Sequence, residues 1–167
     1  KGTSLREAAL SSERYSKRIE VVGPAPRLVE GTWQALFDEI HQESVANGLA
    51  REERYEYPLD AVREAVVNAI CHRDYQIAGQ RIEIRLFDDR MEIISPGRLP
   101  GHITLENILE EHYSRNPRLV RGLYYWGYIE ELGQGIDIIY EAMRREHHPP
   151  PEFREGERSF TVTLFNT

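Results

Sequence analysis

Glu64 and Asn68 stand four residues apart within LDAVREAVVNAICHRDY (59–75), a run whose apolar residues recur at helical spacing. On a helix turning about 100° per residue, Leu59, Val62, Val66, Ala69 and Ile70 gather on one side. Glu64, Asn68, Cys71 and Tyr75 gather on the other. Glu64 and Asn68 are therefore neighbours one turn apart. A carboxylate beside a carboxamide is a chemically useful pair: the first can polarise a water, and the second can hold a hard cation through its oxygen. The same pattern also suits the polar face of an ordinary surface helix.

Two glycine-bearing turns follow in order. Ser95-Pro96-Gly97-Arg98-Leu99-Pro100-Gly101 comes directly after a strand-like run, and its glycines would let a flat ligand approach the backbone. Gly133-Gln134-Gly135 opens a helix, where free N–H groups and a partial positive charge favour phosphate. A cation held by Asn68 would bridge to such phosphate oxygens, with Glu64 activating a water for attack. Taken singly, Gly133 and Gly135 also fit a plain helix start, and Ser95-Pro96-Gly97 a plain turn.

The elements that must position these residues are read from periodicity. Residues 1–18 read as an irregular lead-in and 18–22 as a short β-like run. Leu28, Val29, Trp33, Leu36, Phe37 and Ile40 predict a helix over 27–47, closed by Asn47-Gly48. A short extended piece over 53–57 precedes Pro58 and the 59–75 helix. Residues 80–87 alternate strictly and 90–94 return after Asp88-Asp89, which predicts a hairpin. Thr104, with Asn107 three residues on, would cap a short helix. Further helices are predicted over 116–126, ended by Gly127, and over 136–146, with a last strand over 159–165. A hairpin, a further strand and helices that need a sheet face to bury their stripes give an α+β two-layer sandwich.

Composition bounds the function. The 167 residues, 40% apolar and 29% charged, suit a soluble globular protein with a full core. The formal charge of −7 and a pI near 5.4 lack the basic excess of a nucleic-acid module, and acidic residues flank Arg115, Arg118 and Arg121. Cys71 is the only cysteine, which excludes an intramolecular disulfide and suits a reducing cytoplasm. His147 and His148 adjoin beside Pro149 and read as a solvated helix end. No apolar run approaches the roughly 20 residues needed to cross a bilayer. Lys1-Gly2-Thr3 reads as a fragment boundary. A helicase motor needs GxxxxGK[ST], and the chain has no such stretch.

REAVVNAICHRDY (63–75), DDRMEIISPGRLPG (88–101), RNPRL (115–119) and ELGQGI (131–136) together resemble the divergent GHKL-type, Bergerat-fold ATP-binding domain of RecG-like, Schlafen-related bacterial proteins. The resemblance implies a mixed, largely antiparallel sheet, with 51–167 as the ATP-binding domain and 1–50 as a lead-in from an upstream domain. It implies ATP and Mg2+ as cofactors, Asn68 as the magnesium ligand and Glu64 as the general base of a slow ATPase. Gly97 matches the first glycine of the adenine-side box; the second falls on Leu99, with Gly101 near. Gly133 and Gly135, around Gln134, match the phosphate-side box. His72, Arg73 and Asp74 match an extension of the helix that either faces the nucleotide or forms an ion pair between Arg73 and Asp74. Ser95 stands where the superfamily has an aspartate that accepts a hydrogen bond from adenine; serine, shorter and uncharged, would reach the base only through water. The implied role is an ATP-binding regulatory domain of a larger DNA-associated transcriptional regulator, cytoplasmic, touching DNA only through flanking domains and compatible with a homodimer. The alternative is an interaction or dimerisation module that keeps the fold without the nucleotide.

Overall fold

A computed structural model describes residues 17–47, 50–111, 113–129 and 134–166. Most of the lead-in (1–16) lies outside the described residues, and so does Gly133.

Pro24 and Pro26 open the first helix, α1 (Ala25–Phe37), where a missing N–H costs nothing and the fixed φ suits the turn. Val29 and Leu36 bury its apolar stripe. The predicted continuation to Asn47 is wrong. Beyond Ile40 the apolar spacing runs out, and β1 (Gln42–Asn47) pairs antiparallel with β2 (Ala50–Tyr55), Asn47 opposite Ala50. The β-like run at 18–22 is irregular, with no ladder partner among the described residues.

Helix α2 (Leu59–His72) ends earlier than predicted. Arg73 turns to φ −53°, ψ 136°, and the Asp74 N–H donates to Pro96 O at 2.8 Å, so Tyr75 lies beyond the helix. The helix is buried nearly all round. Glu64 and Cys71, on the predicted polar side, are as buried as Val62 and Val66 on the other. That side is a second packing face and not a solvent face.

The main sheet joins β3 (Glu83–Leu86), β4 (Arg90–Pro96), β5 (Glu152–Glu155) and β6 (Ser159–Phe165) in the order β3-β4-β6-β5. Every pair is antiparallel, where a mixed sheet was implied. Register places Leu86, Met91 and Leu164 in one row and Ile84, Ile93 and Val162 in the next. These rows form the face under the helices, and burying each such side chain contributes roughly 1.5–3 kcal/mol. Strand β5, sequence EFRE, has one apolar residue and so no readable alternation; Phe153 packs against the core.

Helix α3 (Pro117–Tyr125) closes as predicted: Gly127 takes φ +78°, and the Gly127 and Tyr128 N–H groups donate to Tyr124 O and Leu123 O. Helix α4 spans Gly135–Arg145. The short helix expected after Thr104 does not form, although its cap does. Thr104 N–H donates to Asn107 Oδ1 (2.7 Å) and Asn107 N–H to Thr104 Oγ1 (3.3 Å). Leu105 and Leu109 are exposed, so no buried stripe extends that box into a helix. Helix α2 packs against α1, α4 and β4, giving an α+β two-layer arrangement. Among the described residues, no helix is long and apolar enough to cross a membrane.

Candidate functional site

A cavity of about 470 Å³ opens where α2 and α4 meet the end of the sheet. Glu64, Asn68, Ser95, Gly97 and Gly135, drawn from three separate stretches of sequence, all line it. Gly101 and Gln134 are not among its lining residues. Gly101 takes φ +62° beside Tyr113, and Gln134 is the residue before α4, its carbonyl accepting from the Ile138 N–H.

Helix α2 supplies the polar centre. Glu64 is 6% exposed. Burial, with the Glu64 charge added, pushes the neighbouring Cys71 thiol up to about 12, so Cys71 is an inert wall residue. The Asn68 carboxamide lies against the first residue of α4. A Cβ on Gly135 would stand 2.5 Å from Asn68 Nδ2 and 2.8 Å from Oδ1, so only glycine leaves that group its place. Asn68 Nδ2 is buried and has no hydrogen-bond partner among the described residues. Buried polar atoms are rarely left so, and those that are call for an explanation.

Ser95 lines the cavity. Its hydroxyl donates to Ala69 O on α2 at 3.0 Å, tying the strand end to the helix. Gly97, at φ +110°, is glycine for a reason within the protein: a Cβ there would meet Asp74 Cβ at 2.8 Å. The expected close approach is between backbone and helix end.

The HRD and RNP segments form a clasp around this turn. Arg115 donates to Asp74 Oδ2 (2.7 Å) and to Arg98 O (2.6 Å). The Asn116 side-chain amide donates to Cys71 O and Arg73 O, both at 2.8 Å, satisfying carbonyls that the end of α2 leaves over. The ion pair of Asp74 is thus with Arg115 and not with Arg73. Arg73 bonds Gln80 O (2.7 Å) and lies 4.8 Å from the Tyr75 ring centroid. His72 lines the cavity, and burial, followed by the Arg115 charge, holds its imidazole below the ordinary range. At the far helix end His148 Nδ1 lies 3.2 Å from Phe165 O, and the described residues hold no cluster of three or more His, Cys, Asp or Glu that would bind a metal.

Sequence reading missed the other walls. Arg98 and Arg121 border the opening, and Phe153 and Phe160 form an apolar side. The alternation in the last strand marks Phe160 as inward-facing, while nothing marks Phe153.

No curated protein matches the chain. Among solved structures, the DIP2311 protein from Corynebacterium diphtheriae is similar, with a TM-score of 0.77 and 32% identity over 82% of this chain. The match spans 28% of that protein's chain, so the sequence here corresponds to a minor part of it. Residues 79–164 match the family described as "Putative ATP-dependent DNA helicase recG C-terminal". That span begins after α2, so Glu64 and Asn68 precede it. It takes in the sheet, the Ser95–Gly97 turn, the clasp arginine and α4, more than half of the sequence, and the chain belongs to this RecG-related, GHKL-like family of ATPase-type domains.

Proposed function

We propose that the domain binds ATP with magnesium in the cavity between α2, α4 and the sheet, as a divergent Bergerat-type site over 51–167. One observation carries this reading: a single cavity gathers Glu64, Asn68, Ser95, Gly97 and Gly135. The residues fit the ligands. The Asn68 amide nitrogen has no partner among the described residues, and its carboxamide sits in a niche that any Cβ on residue 135 would fill. The Asn68 amide oxygen suits magnesium, which keeps waters and takes phosphate oxygens. When bound, the ion would neutralise charge on the phosphate oxygens. Asn68 would hold that ion through its amide oxygen. The α4 N-terminus, bordering the cavity at Gly135, offers N–H donors to phosphate. Glu64, buried in the wall, would take a proton from an attacking water, which makes a slow ATPase the activity to test.

In a longer protein the domain would act as a regulatory element of a DNA-associated transcriptional regulator, with DNA contacts made by other segments. ATP-driven ordering would shift domain contacts or a homodimer equilibrium. Calorimetric titration with ATP and magnesium tests the site. Wild type should release heat and Asn68→Ala should not, while Glu64→Gln should bind but not turn over. A second reading, a nucleotide-free interaction module, has Ser95 in its favour, since the superfamily's aspartate is absent and the hydroxyl is engaged with Ala69 O. Absence of heat up to millimolar ATP would decide for that module.

A further inference from the structure

We infer that two copies of this chain join through a twofold interface in which the 104–111 turn of each docks on the exposed face of helix α3 of the other. This gives the homodimer equilibrium proposed above a surface, and it holds whether or not the cavity takes a nucleotide. On α3, Leu119, Val120 and Leu123 pack on the core, which turns Arg118, Arg121 and Tyr125 outward at i, i+3 and i+7. Tyr125 is 78% exposed, and Trp126, directly after the helix, is 60% exposed. The Trp126 ring lies against Gly122, where a Cβ would stand 3.4 Å from it, so the ring is braced by the helix. Neither Arg118 nor Arg121 forms an ion pair among the described residues. Trp, Tyr and Arg are the residue types that dominate binding at protein interfaces, and grouped apolar exposure of this kind marks an interaction surface.

The 104–111 turn carries the counterpart. Reciprocal hydrogen bonds between Thr104 and Asn107, with the Asn107 side-chain amide donating to His102 O at 3.1 Å, hold it in one shape. Leu105 and Leu109 are each 44% exposed, and Glu106 and Glu110 beside them have no ion-pair partner among the described residues. Glu111 is already engaged with His102. One strip is therefore aromatic and basic, and the other aliphatic and acidic. Contact of either strip with its own copy would set like charge on like charge, whereas contact between the two strips pairs every charge with its opposite. Ile108 of the turn and Pro117 and Arg121 of α3 line the same cavity, so both strips flank one opening. With both on one side of the molecule, a single twofold axis brings turn to helix twice and closes the assembly as a dimer.

Sedimentation equilibrium without nucleotide tests this on the 167-residue chain as wild type, as Arg118→Glu with Arg121→Glu, and as Glu106→Arg with Glu110→Arg. All four positions are exposed, so both variants should melt as wild type does. Wild type should dimerise with a dissociation constant on the order of 10–100 µM, as suits a small interface. Each variant alone should dimerise at least about tenfold more weakly. An equimolar mixture of the two should restore the dimer, because every turn then meets a helix of opposite charge. A wild type still monomeric at roughly millimolar concentration overturns the inference. So does a variant that dimerises as wild type does, a mixture that stays monomeric, or assembly that continues past two copies. Each of these outcomes leaves the nucleotide reading to the separate ATP titration.

Discussion

Burial sets the protonation of the two titratable groups on the last turn of α2. The Cys71 thiol is pushed up, and the His72 imidazole is held below its ordinary value of 6.5 by burial first and by Arg115 second. The folded state therefore favours neutral His72, and the unfolded chain binds the proton more readily. The contribution to stability is complete above the unfolded value near 6.5 and is lost as pH falls below it through the depressed folded value. The melting temperature should drop from about pH 7.5 to about pH 5.5, and it should drop less in His72→Gln; equal drops in the two proteins would remove His72 as a cause. Glu64 and Asn68 were legible as a pair from spacing alone. The hydrogen bond of Ser95 was not, because its acceptor is 26 residues away and belongs to the helix across the layer.

At the scale of elements, the two cavity glycines are instructive. Sequence suggests that Gly97 and Gly135 make room for a ligand, whereas both stand where one element touches another: Gly97 at the end of α2, Gly135 against Asn68. Gly135→Ala separates site from fold. Alanine in the first helical turn gains up to roughly 1 kcal/mol over glycine, and the atoms it strikes are the movable tip of Asn68, so melting should change little. Displacing that carboxamide should weaken magnesium-dependent ATP binding on the order of tenfold to a hundredfold. Calorimetry beside a thermal melt checks both, and full retention of binding would remove the Asn68 niche from the site. The helices and strands with a strong period were read correctly: α2, the β3–β4 hairpin, α3, α4 and β6. Strand β1 was read as helix because it follows an apolar stripe without a break, β2 was read only as a short extended piece over 53–57, and β5 lacks alternation.

Across the whole molecule, the family's HRD and RNP segments are explained by the clasp. Arg115 joins the end of α2 to the turn after β4 through Asp74 and Arg98 O, and both charged side chains are mostly covered, at 22% and 23% exposure. Partial burial makes such a pair worth more than a surface ion pair. In urea unfolding Arg115→Ala should cost about 1–3 kcal/mol. Combined with Asp74→Asn the losses should fall short of additive, because both changes remove one contact; strict additivity would show the two residues acting separately.

The chain's own periodicity determined its α+β class and the placing of a carboxylate beside a carboxamide on one helix face, since those features depend on neighbours a few residues apart. Tertiary structure alone decided that this face is buried, that α4 closes over it at Gly135, that Ser95 gives its hydrogen to Ala69, and that Asp74 pairs with Arg115 rather than Arg73. Each of those outcomes is a competition for burial and hydrogen bonds between segments distant in sequence, and local pattern carries no term for it.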